Sequence, residues 1–92
     1  MSFYHVYVLF SEKDRKLYIG YTNNIERRFK QHLDGEVKST APRRPLKLIY
    51  FEAHLAQEDA LRREKYFKST AGRRTLKLML RNTLQNLEYQ GL

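Results

Sequence analysis

Residues 3–22 of this 92-residue chain hold two aromatic-rich extended runs, FYHVYVLF and KLYIGYT, separated by the five polar residues Ser11 to Arg15. A connection that short suits a hairpin loop, so the runs must pair as antiparallel strands. Asn23 and Glu26 follow with the spacing of a helix cap and capping box. Ile25, Phe29 and Leu33 then recur every fourth residue, which predicts a helix with one buried stripe. Asp34-Gly35 ends it.

Beyond that unit, residues 36–45 (EVKSTAPRRP) read as a basic loop with two prolines, and Leu46 to Phe51 as a third strand. Gln57 to Lys68 predicts a second helix. Ser69 to Gly72 interrupts the pattern, and a third helix continues to about residue 88 with Leu76, Met79, Leu80, Thr83, Leu84 and Leu87 on one face. The expected fold class is α+β: a three-stranded antiparallel sheet flanked by helices, in the order β-β-α-β-α-α. Residues 1–92 then form a single domain with its core between about 3 and 80. Tyr89 to Leu92 are expected to fray.

Several classes fall away on composition. With no cysteine there is no disulfide or thiolate metal site. No apolar run approaches the roughly 20 residues of a membrane span. The amino terminus lacks the pattern of a signal peptide, so a cytoplasmic setting is expected. The net charge of +8 is concentrated: eight Lys and Arg between Arg62 and Arg81 face one acid, Glu64. Charge gathered this way points to a phosphate backbone, DNA first and RNA second, ahead of anionic lipid or an acidic partner.

Four features break the packing pattern. Glu64 takes the missing place in the stripe formed by Ala60, Leu61 and Phe67, where a carboxylate needs a partner. That partner is either a basic side chain such as Arg28 or Arg63, or a hard divalent cation. Arg28 and His32 lie one turn apart, at the rim of the first helix's apolar stripe, where an arginine can hold a phosphate oxygen. Tyr7 and Tyr18 occupy adjacent strands, and Gly20 is expected to leave open space beside Tyr18 for a ligand. His5 shares the Tyr7 face as a packing or hydrogen-bonding residue, and His54 reads as structural.

Taken together, these residues resemble the GIY-YIG nuclease superfamily, in the form of its small stand-alone bacterial members. His5-Val6-Tyr7 stands where that family has Gly-Ile-Tyr, and Tyr18-Ile19-Gly20 matches Tyr-Ile-Gly. Arg28 follows Tyr18 by ten positions, His32 comes one turn later, and Glu64 falls where the family has a metal-binding glutamate. Two departures stand out. His5 replaces the first glycine, and for the family's late asparagine the nearest counterpart is Asn82.

The resemblance implies an endonuclease that hydrolyses phosphodiester bonds by in-line attack of water, leaving a 3′-hydroxyl and a 5′-phosphate. Glu64 would hold one Mg²⁺ (or Mn²⁺), Arg28 would neutralise transition-state charge, and Tyr7 would take the water proton. Tyr18 would orient the water, and His32 would assist proton transfer. A phenol is a weak base at neutral pH, so Tyr7 is expected to have its pKa depressed by Arg28, the metal and Lys16 or His32. Substrate grip is expected from Lys16, Lys38, Arg43, Arg44, Lys68, Arg73 and Arg74, through backbone contacts with little sequence preference. The rival reading is a non-catalytic nucleic-acid-binding module with the same fold. A third is an assembly domain using the Leu76–Leu87 face, so a monomer or a weak homodimer is expected.

Overall fold

The computed structural model describes residues 2–88; the expected fraying of Tyr89 to Leu92 lies outside them. Three strands, β1 (Tyr4–Ser11), β2 (Leu17–Thr22) and β3 (Leu46–His54), form one antiparallel sheet in the order β2-β1-β3. The hairpin expected between β1 and β2 is present, with Tyr7 opposite Gly20 and Leu9 opposite Tyr18. β3 is three residues longer than the sequence suggests, and its register against β1 shifts between Val8 and Leu9.

β1 is central because both of its faces are apolar, and every residue from Val6 to Ser11 is buried. On one face Val6, Val8 and Phe10 meet Ala60 and Phe67 of α2 (Gln57–Lys68) and Leu76 of α3 (Thr70–Met79). Leu80 and Leu84 complete that cluster, the latter from α4 (Arg81–Asn86). On the other face Tyr7, Leu9 and Leu46 pack with Tyr18, Leu48 and the α1 (Ile25–Leu33) residues Ile25 and Phe29. The fold is therefore α+β, a three-stranded antiparallel sheet with helices on both faces.

The helices differ from expectation in detail. Asn24, not Asn23, caps α1, its side chain accepting from the Arg27 N–H at 3.0 Å. Leu33 is 47 % exposed, while His32, expected at the rim, is fully buried. Helical periodicity puts Leu33 in the stripe and His32 on its flank; Thr40, from the loop after the helix, packs against the His32 ring at 2.7 Å and helps cover it. The expected interruption falls at Ser69 alone, which ends α2 and caps α3, accepting from the Gly72 N–H at 3.0 Å; Thr70 to Gly72 are already helical.

The single long third helix is instead two, parted at Leu80. The bend lets Leu76, Leu80 and Leu84 reach the same core, while Met79 stays exposed. That packing consumes the face considered for assembly: Leu76, Leu80 and Leu84 are covered within the chain itself.

Candidate active site

The face of the sheet under α1 collects the unusual residues. Tyr7 leans across β2 so that its ring occupies the space where Gly20 has no side chain. A Cβ on Gly20 would lie 2.3 Å from Tyr7 Cζ. The expected opening beside Tyr18 is thus filled by Tyr7. A glycine is needed here for the close approach of one ring, not for a ligand. Tyr7, Tyr18 and His32 form a compact trio, with ring centroids 6.4 Å apart for the tyrosines. His32 lies 5.6 Å from Tyr7 and 5.3 Å from Tyr18.

A hydrogen-bonded chain runs through this trio. The Tyr7 hydroxyl lies 2.8 Å from His32 Nε2, and His32 Nδ1 lies 2.7 Å from the Thr40 hydroxyl. Arg28 lies near enough to lower the Tyr7 pKa, and it donates to Gln31 Oε1 at 3.1 Å. Thr40 and Gln31 carry no signal in the sequence: one is a loop threonine and the other a helix glutamine, each joining the site only through folding.

Electrostatics follow from burial. Tyr7 is 1 % exposed, and burial pushes its phenol up to about 12. Arg28 pulls it down by less, and the charges of Tyr18 and Glu64 raise it further. The depressed phenol expected from the sequence is therefore reversed in the protein alone. His32 goes the other way: burial first, and then the Arg28 charge, lower its pKa to about 4, so the ring is neutral at pH 7.

Glu64 is near enough for its charge to act on Tyr7. Its side chain is 21 % exposed and pairs with Lys68 at 3.1 Å, one turn along α2. Neither basic partner considered from the sequence takes it. Arg63 donates instead to Glu52 at 2.9 Å, and Arg28 to Gln31. Among the described residues no group of three or more His, Cys, Asp or Glu side chains is placed to cage a metal. A lone, half-open carboxylate fits a hard cation that keeps most of its water, as Mg²⁺ and Mn²⁺ do, and no ion that demands a full protein shell. Asn82 is exposed on α4, with no contact to this group.

The expected nucleic-acid contacts divide. Arg43 is committed inside the protein: Nε donates to Asp14 Oδ2 at 2.6 Å and Nη2 to the Leu17 carbonyl at 3.4 Å. Its pairing holds the Asp14 carboxyl below its ordinary range. Arg44 donates to the Ala41 carbonyl at 2.9 Å, and its guanidinium lies over Gly35, whose φ of 77° suits glycine. Lys68 is held by Glu64. Lys16, Lys38, Arg73 and Arg74 are exposed, and a depression of about 390 Å³ is lined by Thr70, Arg73, Arg74 and Lys77. A second, of about 430 Å³, opens beside Arg28 between Tyr21, Asn23, Arg27, Gln31 and Gln57.

Fold, strand pair and gathered side chains define a nuclease-type domain, and comparison with known proteins agrees. The chain belongs to the GIY-YIG catalytic domain family, whose model matches residues 3–77. It is 37 % identical to a UPF0213 protein of Bacillus licheniformis over 87 residues, 94 % of this chain and 90 % of that one. A UPF0213 protein of Clostridium perfringens is 38 % identical, with 94 % and 92 % covered. The solution NMR structure of a UPF0213 protein from Bacillus halodurans is 33 % identical, with 99 % of this chain and 89 % of that one aligned at a TM-score of 0.49. Among the described residues no helix is long and apolar enough to cross a membrane.

Proposed function

We propose that this protein is a metal-dependent endonuclease that hydrolyses phosphodiester bonds in DNA, with structured RNA as the second substrate. The observation that carries the reading is the convergence on Tyr7 of Arg28, Tyr18, His32 and the Glu64 charge. Glu64 would hold the divalent cation, which supplies Lewis-acid polarisation of the phosphate. Arg28 meets the non-bridging oxygens and neutralises charge as it builds.

The proton path is decided by magnitude. At pH 7, ionising Tyr7 outright costs about 7 kcal/mol with a pKa of about 12, whereas protonating His32 costs about 4 kcal/mol with a pKa of about 4. His32 is the cheaper sink. Tyr7 then serves as a relay: it takes the water proton while its own proton passes to His32 Nε2. The water oxygen forms the new bond to phosphorus. The P–O3′ bond breaks with its electron pair on the 3′-oxygen, which is protonated from solvent. Tyr18, half-exposed beside Tyr7, orients the water.

Lys16, Lys38, Arg73 and Arg74 would hold the backbone, which makes binding salt-sensitive and nearly blind to sequence. A second reading, a binding module without chemistry, is favoured by one observation: Lys68 already occupies the Glu64 carboxylate. Incubating purified protein with supercoiled plasmid and structured RNA separates the two. Nicking with Mg²⁺ or Mn²⁺, abolished by chelator and leaving 5′-phosphate ends, supports the enzyme. Binding to either nucleic acid with no cleavage under any of these conditions sinks it.

A further inference from the structure

The buried chain beyond His32 has a direction, and Thr40 sets it. Two arrangements of its protons are available, because His32 is neutral and carries a hydrogen on one nitrogen only. In the first, Tyr7 donates to Nε2, Nδ1–H donates to Thr40, and Thr40 donates to the Val37 carbonyl. Every donor has an acceptor. The last link is long, at 3.5 Å, and that carbonyl also accepts the Thr40 and Ala41 amides.

In the second, Thr40 donates to Nδ1 and Nε2–H donates to Tyr7. The Tyr7 oxygen would then accept from His32, while its own hydrogen pointed at no acceptor among the described residues. At a group 1 % exposed, an unmet O–H is the costlier fault. The first arrangement wins.

Thr40 is turned toward this task. It precedes the 3₁₀ turn Ala41–Arg43, where a threonine would ordinarily cap the turn with its hydroxyl, yet no such cap bond forms. Its side chain is fully buried and turned to His32 at 2.7 Å instead. The loop that carries it is fixed from outside the site, by Ser11 donating to the Arg43 carbonyl at 2.6 Å and by Arg43 on Asp14.

We infer that Thr40 is a positioning residue: its hydroxyl accepts from His32 Nδ1–H and holds the ring in the tautomer whose bare Nε2 faces the Tyr7 hydroxyl. The consequence for rate rests on the hydrolytic reading above, but the tautomer is testable without any substrate. Oriented this way, His32 can receive a proton through Tyr7. In the other tautomer it can only donate to Tyr7, and the relay is closed.

The test is the assigned ¹⁵N spectrum of the His32 ring in wild type, Thr40→Val and Thr40→Ser, read beside single-turnover cleavage. Wild type should show the Nδ1–H tautomer. Thr40→Val, nearly isosteric but without the hydroxyl, should shift the ring toward Nε2–H and slow cleavage about tenfold to a hundredfold at unchanged KM. Thr40→Ser should restore both. An Nε2–H ring in wild type overturns the assignment by itself, even if Thr40→Val fails to fold. So does a ring whose tautomer is indifferent to both substitutions. If wild type cuts nothing while the ring behaves as described, the hydrolase reading fails and the assignment of Thr40 stands.

Discussion

The two faces of β1 are equally buried and do opposite things. Val6, Val8 and Phe10 sit in an apolar cluster with side chains of β2, α2, α3 and α4, and the Arg15 guanidinium lies over the Phe10 ring at its edge. One residue over, Tyr7 is as deeply buried but ends on a hydroxyl 2.8 Å from His32 Nε2, with Arg28 near enough to lower its pKa. Burial on the first face stabilises the fold. Burial on the second moves two pKa values in opposite directions along a Tyr7–His32–Thr40 hydrogen-bonded chain. A strand with alternating side chains lets a 92-residue chain keep both within one sheet.

Substitutions on the two faces should therefore separate. Phe67→Ala, at the centre of the apolar face, should cost about 3–5 kcal/mol in denaturant unfolding, with the cleavage rate per folded molecule unchanged. Arg28→Ala should do the reverse. Its cleavage rate should fall by about 10² to 10³, equivalent to about 3–4 kcal/mol, with stability nearly intact. If both substitutions lowered stability and rate in proportion, the division between faces would be broken.

His32 gives the comparison a pH signature. Its pKa is 6.5 as a free side chain and about 4 in the fold, so the unfolded chain binds the extra proton first. Stability from this group is present above pH 6.5 and is lost as pH falls from there through about 4, on the order of 3 kcal/mol in all. Denaturant midpoints measured across that window should show this slope in wild type and a flatter one in His32→Gln. An equal slope in both would place the titration elsewhere.

The smallest effects should come from the periphery. Removing one charge at Lys38 or Arg74 should reduce the salt dependence of DNA binding by about 0.9 in log–log slope. Arg43→Ala should instead loosen the fold through Asp14 and leave the slope unchanged. Those slopes, taken together, sharpen the division between basic residues that face solvent and those spent internally.

Much of this was legible before any coordinates. The hairpin follows from its five-residue loop, and the three strands from the apolar runs; that β1 lies between β2 and β3 does not. Tyr7, Tyr18, Arg28 and Glu64 stood out because each departs from simple packing. What stayed hidden depends on contacts between distant elements. Arg43 and Asp14 lie 29 positions apart, so nothing local marks the arginine as spent. His32 was placed on the correct flank of α1, but periodicity does not say that residues 37–40 fold over it. Thr40 had no signal at all. The break at Leu80 was invisible because the leucine spacing suits one helix or two.

The central claim is that Arg28 and Glu64 meet a phosphate over Tyr7. A single-turnover cleavage assay on end-labelled DNA, comparing wild type with Glu64→Gln across a Mg²⁺ titration, addresses it most directly. The account predicts metal-dependent cutting by wild type and a loss of about a hundredfold or more in Glu64→Gln at saturating metal, with DNA affinity retained. Equal rates for the two proteins, or cutting that ignores the metal, would contradict it.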